Sequence, residues 1–198
     1  MELHAFDDLI AAPWKNGGGS TRTLSSYPAD AGFDDFLWRV SIADVDQSGP
    51  FSSFPGIDRV IMLLDGPGMQ LNFADGKVHG LTTPLLPYCF KGEEQLDARL
   101  EGGACRDFNL MLRRGAASGA VEVWHATPDV VEACDFRLLF CVQGSWQVST
   151  SHAECALERR QTLSCEGDTG RISVRPLAAD SVLVVVKINR QQGIAHAN

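Results

Sequence analysis

The segment from Trp38 to Gly66 most constrains the fold, because it predicts two strands joined by a turn-rich connection. In its first half, apolar Trp38, Val40 and Ile42 alternate with polar or small residues, as in a strand with one buried face. Gly-Pro and Pro-Gly pairs then indicate that the chain reverses. From Arg59 to Leu64 the residues are apolar on both faces, which is typical of a covered strand.

Short strands of this kind recur along the whole chain. Further strands are predicted over 21–24, 69–73, 77–81, 95–100, 105–114, 121–125, 136–142, 146–149 and 181–188. Asp75-Gly76 predicts a hairpin turn, Gly115 to Gly119 a flexible connector, and Gln191 to Asn198 a frayed tail. Only Ala153 to Arg160 resembles a helix, and weakly. The chain is therefore predicted to be all-β, a barrel or a sandwich.

A faint internal repeat suggests two barrels of similar design. The run RVIMLLDG from Arg59 to Gly66 is echoed by RLLFCVQG from Arg137 to Gly144, each an apolar strand that ends in glycine. A length of 198 residues is sufficient for two small fused domains.

Composition excludes several function classes. A formal net charge of -8 without a Lys/Arg cluster argues against nucleic-acid binding. The longest strongly apolar run, Val182 to Val186, is too short to span a bilayer, and residues 1–10 do not form a signal peptide. Six irregularly spaced cysteines are expected to be reduced thiols. These features predict a cytoplasmic protein without membrane contact.

Neither metal binding nor covalent catalysis is predicted. No histidines are spaced at i and i+2, the spacing at which two strand residues enter the same cavity. Cys105 and the Ser52-Ser53 pair lack the sequence context of a nucleophile, and Cys105 is expected to be an inert core residue although Arg106 adjoins it. We therefore expect no metal and no other cofactor.

Polar residues that alternate with apolar ones on two strands are the most informative pattern. They are Arg39 and Ser41 on one strand, and Asp107, Asn109 and Arg113 on another. Such a pattern usually marks the solvent side of a sheet, and the pattern alone favours that interpretation. In a small barrel it can instead line a ligand cavity, where an arginine suits a carboxylate because its planar guanidinium binds both oxygens.

The glycine-rich stretch WKNGGGST, from Trp14 to Thr21, does not match a nucleotide-binding loop. Lys15 precedes the glycines, and no helix follows them. Consecutive glycines permit unusual backbone angles and the close approach of another group. The stretch is interpreted either as a tight turn that packs Trp14 or as a small-ligand contact made by Lys15 or Asn16.

Taken together, these motifs resemble the HutD/Ves family of bacterial cytoplasmic proteins. The resemblance rests on Trp14 to Thr21 (WKNGGGST), Trp38 to Ala43 (WRVSIA), Gly49 to Arg59 (GPFSSFPGIDR) and Asp107 to Arg114 (DFNLMLRR). It extends over roughly residues 5 to 115.

The resemblance implies a double cupin, an all-β RmlC-like fold with two jelly-roll barrels in one chain. We expect an N-terminal barrel over residues 1–115 and a C-terminal barrel over 116–198, with strands exchanged between the halves. The residues shared with the family are expected to line the N-terminal barrel as ligand contacts: Lys15, Asn16, Arg39, Ser41, Arg59, Asp107 and Asn109.

The resemblance also implies a regulatory role in histidine utilisation. The resulting hypothesis is a metal-free bicupin that binds a small carboxylate of histidine breakdown, urocanate or N-formylglutamate, and modulates expression of the pathway. Arg39 or Arg59 would hold the carboxylate, and Ser41 or Asn109 would hydrogen-bond the ligand.

Two other functions remain open. One is an isomerase or hydrolase that uses Asp107 or a histidine as general base, and the other is an interaction module that binds no small molecule. Exposed edge strands also make a homodimer an expected assembly, although the sequence assigns no residue to its interface.

Overall fold

Antiparallel strands make up nearly all of the regular structure, as the recurring short apolar runs predict. The structure, a computed structural model, describes residues 1–167 and 170–191. Within those ranges the only helical segment is a single 3-10 turn, Phe6–Asp8, and no helix has the length and hydrophobicity needed to cross a bilayer. The tail predicted over 191–198 lies, except for Gln191, outside the described residues.

The chain divides into two compact units. The N-terminal unit is Ile10–Ala116, and the C-terminal unit combines Met1–Leu9 with the described residues from Ala117 onward. The division between the halves therefore lies one residue after the predicted one, and the first nine residues group with the second half of the chain.

The N-terminal unit contains ten strands in two sheets. They are β2 (Ala12–Pro13), β3 (Gly19–Tyr27), β4 (Trp38–Val45), β5 (Gly49–Pro50), β6 (Ile57–Asp65), β7 (Met69–Phe73), β8 (Val78–Leu81), β9 (Tyr88–Lys91), β10 (Leu96–Leu100) and β11 (Cys105–Arg113). A six-stranded sheet has the order β2-β3-β4-β11-β6-β9, and a four-stranded sheet the order β5-β10-β7-β8. All of their strand pairs are antiparallel.

The C-terminal unit repeats this plan. Its strands are β1 (Glu2–Ala5), β12 (Ala117–His125), β13 (Asp129–Val131), β14 (Phe136–Gln143), β15 (Ser145–Ser149), β16 (Glu154–Glu158), β17 (Gln161–Glu166), β18 (Ile172–Pro176) and β19 (Val182–Arg190). A five-stranded sheet has the order β1-β17-β14-β19-β12, and a four-stranded sheet the order β13-β18-β15-β16.

The core of the N-terminal unit lies between its two sheets. Ala43, Ile61 and Leu63 of the larger sheet pack with Met69 and Leu71 of the smaller one, and all five are almost fully buried. Each large aliphatic side chain buried in this way contributes ~1.5–3 kcal/mol of hydrophobic stabilisation. The inward face of the larger sheet also carries the polar residues that form the candidate site.

Two local predictions are wrong. The weak helical candidate is strand β16, in which Leu157 is buried between exposed neighbours, a period of two rather than 3.6. The predicted connector extends only to Ala116, because Ala117 starts β12. A Cβ on Gly119 would lie 2.6 Å from the Lys187 carbonyl oxygen, so the small residue allows a close strand pair rather than a flexible loop.

Candidate functional site

The two arginines of the central segment lie in one cross-strand row. Met111 of β11 is opposite Arg39 of β4 on one side and opposite Arg59 of β6 on the other. Directly opposed residues in antiparallel strands present their side chains on the same face. Since two strand spacings separate them, the Cα atoms of the arginines are about 10 Å apart.

Arg59 is a buried cation in an aromatic enclosure. Its side chain belongs to a residue only 7% exposed, and its guanidinium carbon lies 5.5, 5.6 and 4.9 Å from the ring centroids of Phe51, Phe54 and Phe90. Nη2 donates a hydrogen bond of 2.7 Å to Asn109 Oδ1, whereas the buried Nε has no partner in the described part of the chain. Burial lowers the pKa of Arg59 to about 10, although nearby Asp107 opposes that change.

Asn109 connects Arg59 to a buried carboxyl group. Its amide Nδ2 donates a short hydrogen bond to Asp107 Oδ1, and Asp107 is 1% exposed. Burial raises the pKa of Asp107 to about 7, despite the opposing effects of Arg59 and of this hydrogen bond. Both ionisable groups therefore shift toward their neutral forms, because the cost of desolvation exceeds their mutual attraction.

Arg39 occupies a more open position in the same row. Its Nη2 donates a hydrogen bond of 2.9 Å to Thr23 Oγ1, and its guanidinium carbon lies 4.5 Å from the Phe33 ring centroid. Partial burial lowers its pKa, and no carboxylate pairs with it among the described residues. Ser41, next in β4 on this face, is buried opposite Asn109.

The structure thus brings together five of the predicted site residues. Arg39, Ser41, Arg59, Asp107 and Asn109 share the inward face of β4, β11 and β6. The solvent-facing interpretation of the alternating pattern is wrong for the four of these residues that belong to it, Arg39, Ser41, Asp107 and Asn109, of which only Arg39 is more than slightly exposed.

Lys15 and Asn16 lie elsewhere in the unit. They are exposed in the turn before β3, and β3 begins with Gly19 opposite Val45, the last residue of β4. Six residues of extended chain separate Val45 from Arg39, a distance of about 20 Å. No described hydrogen bond joins Lys15 or Asn16 to the arginine row, and their role as ligand contacts stays a prediction.

The glycine run forms the predicted tight turn. Gly17 has a φ of +71°, a left-handed conformation that favours glycine. A Cβ on Gly19 would collide with the Asp44 carbonyl oxygen of the neighbouring strand. Trp14 packs on the core and donates a hydrogen bond of 2.8 Å from Nε1 to Thr21 Oγ1.

The sequence reasoning assigned no role to the phenylalanines that surround the arginines. Phe51 and Phe54 lie in the short loop before β6, and Phe33 lies in the loop before β4. A signal existed in the segment FSSFPGIDR, where two aromatic residues precede an arginine within one turn-rich connection. Phe90 had no comparable signal, since it reaches Arg59 only through the β6–β9 pairing.

The donor set does not fit a metal ion. Asp107 is the one carboxyl group among the five gathered residues, it adjoins the Asn109 amide and the Arg59 guanidinium, and the positive charges of the two arginines repel a cation. Among the described residues, no three His, Cys, Asp or Glu side chains converge as metal ligands do.

A separate open groove of about 500 Å3 lies in the C-terminal unit. It runs over β13, β15, β16 and β18, and it contains none of the predicted site residues. Its wall includes the charged residues Asp129, Glu154 and Arg175.

Comparison with protein families and sequences gives a consistent assignment. The HutD family profile matches residues 7–184. An uncharacterized 21.2 kDa protein in the hutC 3' region of Pseudomonas putida is 37% identical over 157 residues, covering 78% of this chain and 80% of that protein. Protein Ves of Escherichia fergusonii is 33% identical over 178 residues, covering 87% and 91%.

Solved structures agree. HutD from Pseudomonas fluorescens SBW25 superposes with a TM-score of 0.80 at 31% identity, covering 96% of this chain and 99% of that one. A conserved protein of unknown function from Pseudomonas aeruginosa PAO1 reaches 0.85 at 28% identity, covering 96% and 100%. A cupin 2 conserved barrel protein from Leptotrichia buccalis, at 0.63 and 7% identity, shows the fold alone, with 95% and 96% covered. The predicted all-β double-cupin fold is confirmed.

Proposed function

This chain belongs to the HutD family, and on that premise we propose that its N-terminal barrel binds a small carboxylate of histidine breakdown. Arg39 and Arg59 hold the carboxylate groups, while Asn109 and Ser41 contribute hydrogen bonds. Binding requires no metal. The bound state then modulates expression of the histidine-utilisation genes, either by sequestering an inducer or through a protein partner.

The observation that carries this proposal is the environment of Arg59. A buried guanidinium is costly unless its donors are satisfied, and here Nε has no described acceptor inside an enclosure of three phenylalanine rings. A carboxylate satisfies two guanidinium donors at once and neutralises the charge. The site thus has a charge and a donor that an anionic ligand complements.

The spacing of the two arginines favours one candidate over the other. Arg39 and Arg59 project from the same face with Met111 between them, so their guanidinium groups can approach a ligand from two sides. N-formylglutamate has two carboxylates and can engage both arginines. Urocanate has one, and would leave one arginine without a partner. We therefore place N-formylglutamate first.

The regulatory part of the proposal is supported by the relatives. The Pseudomonas putida protein is named for its position beside hutC, and the family motifs associate this chain with histidine utilisation. The described residues of the site do not form the cluster of metal ligands that oxidative cupin chemistry uses.

Isothermal titration of the metal-stripped protein with N-formylglutamate, then urocanate, tests the proposal. We expect saturable heat. Arg59→Ala should weaken the binding free energy by about 2–5 kcal/mol, because the pair formed by Arg59 and the ligand carboxylate is desolvated. Arg39→Ala should cost less, since Arg39 is partly exposed. Arg99→Ala is the matched control, an exposed arginine on β10 of the same unit. Absence of heat with both compounds would refute the proposal.

Asp107 gives specific support to an enzymatic alternative. A carboxyl group with a pKa of about 7 is suited to exchange protons near neutral pH. An isomerase or hydrolase would consume urocanate or N-formylglutamate in a turnover assay and lose that activity in Asp107→Asn. Binding without consumption would exclude this alternative.

A further inference from the structure

A loop that leads into β4 places an aromatic ring above the arginine row. Phe33 is 58% exposed, yet its ring centroid lies 4.5 Å from the guanidinium carbon of Arg39. The same ring lies 5.7 Å from that of Phe54, which in turn contacts Arg59. Two loops that are distant in sequence thus meet directly over the two arginines.

The Phe54 side of this contact is firmly anchored. The Phe54 amide donates a hydrogen bond of 2.7 Å to the Gly92 carbonyl oxygen, and its own carbonyl accepts one of 3.2 Å from Ile57. Its ring packs against a small buried cluster that includes Ile57 and Met111. Phe54 therefore forms a fixed rim of the barrel.

On the Phe33 side, Ala31 also packs against this small cluster, and the side-chain hydrogen bonds that hold the loop lie beyond the phenylalanine. Arg113 holds the following residues through hydrogen bonds of 2.5 and 2.8 Å to the carbonyl oxygens of Asp34 and Phe36. The backbone of Phe33 makes no described hydrogen bond, and its closest backbone closures are turns of 3.1 Å at Ala31 and 3.4 Å at Asp35. Segments with few backbone hydrogen bonds and exposed side chains open at low free-energy cost.

Access to Arg59 requires a movement in the loops above the arginine row, because Arg59 is only 7% exposed. Phe51, Phe90 and Met111 belong to the packed interior, and Phe54 is pinned. We propose that residues 28–33 form a lid, with Phe33 as its closing residue, which opens away from Phe54 and Arg39 to admit a small anion. This inference rests on the proposed carboxylate site, whose ligand the lid would seal from water.

Thiol labelling of Met111→Cys tests the lid without any ligand. Met111 is 4% exposed and lies between the two arginines, so a thiol there reports opening. The probe is the anionic reagent (2-sulfonatoethyl) methanethiosulfonate, and site-resolved mass spectrometry follows the peptide that contains position 111. Exposed Cys89 is the internal standard for reagent activity.

We expect the Met111→Cys thiol to label at least about tenfold slower than Cys89. Adding Phe33→Ala should raise its rate about tenfold, because the substitution removes one aromatic pair and one cation–π contact. Leu86→Ala, which removes an equally exposed apolar side chain in the same unit, should leave the rate unchanged. Ser41→Cys gives a second reporter in case Met111→Cys folds poorly, because Ser41 is buried two residues after Arg39 on the same face of β4.

Two results would overturn the lid. One is a labelling rate that Phe33→Ala does not change, and the other is labelling as fast as Cys89 while Phe33 is intact. Because the probe is not the proposed ligand, these results are independent of the calorimetry. A protein that labels as expected but binds no carboxylate would retain the lid and lose the proposed function.

Discussion

Burial shifts the pKa values of the two ionisable groups that Asn109 connects, Arg59 and Asp107, in opposite directions. The pKa of Arg59 falls to about 10, and that of Asp107 rises to about 7. At neutral pH Arg59 therefore keeps its charge, while the carboxyl group of Asp107 is divided between its two protonation states. Small changes in pH near 7 thus alter the charge of the candidate site through a single residue.

Asp107 should make the protein more stable in mild acid. Its folded-state pKa of about 7 lies above the value of about 3.9 for an unfolded chain. Between these values the native state holds more protons than the unfolded state, so the free energy of unfolding falls as pH rises. This contribution is fully present below about pH 4 and is lost, by about 4 kcal/mol in total, as the pH rises through about 7.

Urea denaturation at several pH values measures this effect. The free energy of unfolding of the wild-type protein should fall steadily relative to that of Asp107→Asn between pH 4.5 and 7, because the variant lacks the titrating group. A difference that is constant over this range would mean that Asp107 titrates as in water.

The same carboxyl group should make anion binding dependent on pH. A bound carboxylate near Arg59 is opposed by ionised Asp107 and tolerated by its protonated form. Arg59 and Cys105, which share the inward face, have pKa values of about 10 and about 12 and stay in one state near neutrality. Affinity for N-formylglutamate should therefore fall about tenfold from pH 6 to pH 8.

Calorimetry in two buffers with different ionisation enthalpies checks this prediction, since binding near pH 7 must take up a proton. Asp107→Asn should abolish both the proton uptake and the pH dependence. Equal affinity at pH 6 and pH 8 in the wild-type protein would contradict it.

At the scale of elements, the three glycines before β3 have different roles. Alanine at position 19 would collide with the carbonyl oxygen of Asp44 in β4, and should cost about 1–3 kcal/mol of stability. Alanine at position 17 has open space but a left-handed φ of +71°, and should cost about 1–2 kcal/mol. Gly18→Ala, near only the flexible Asn16 side chain, should cost least.

Chemical denaturation of the three alanine variants should reproduce this ranking. If Gly18→Ala were as harmful as Gly19→Ala, the close approach of β3 and β4 would not be the reason for the third glycine.

Local patterns predicted those strands whose own residues show the alternation or the apolar run of a buried strand. The alternation in β4 and β11 and the apolar run of β6 were sufficient, and the Asp75-Gly76 turn joins β7 and β8 as predicted, with Gly76 at a φ of +90°. The start of β12 was missed because its residues are small. Gly119 has to be small because β19 passes close to it, and no local sequence pattern reveals that contact.

The candidate site was only partly predictable for the same reason. The polar residues of β4 and β11 were identified, but the face they occupy depends on how the sheet closes against its partner sheet. The pattern alone pointed to solvent. Lys15 and Asn16 were grouped with the arginines through the family motif, although β4 separates them by most of its length. Phe33 became significant only through contacts between loops.

At the scale of the whole molecule, the two units should open separately. Phe6, 2% exposed, anchors the N-terminal segment in the C-terminal unit: its amide donates a hydrogen bond of 2.8 Å to the Arg160 carbonyl oxygen. Phe6→Ala should cost about 3–5 kcal/mol there. Hydrogen exchange should accelerate in peptides from β17, the partner of β1, and remain slow in β6.

Leu3→Ala is the control, because Leu3 is 46% exposed in β1 and its truncation should have little effect. Equal acceleration in β6 and β17 after Phe6→Ala would show that the chain opens as one cooperative unit.

The pairing of β1 with β17 also sets an order of assembly during translation. Ala5 is opposite Gln161, so 156 positions separate the partners (161 minus 5). At 5–20 residues per second, β1 leaves the ribosome roughly 8 to 30 s before its partner. The strands of the N-terminal unit all lie between residues 10 and 116, and they can pair during that interval. Strand β1 is therefore synthesised before the N-terminal unit but incorporated after it, and until then its unpaired backbone is available to chaperones.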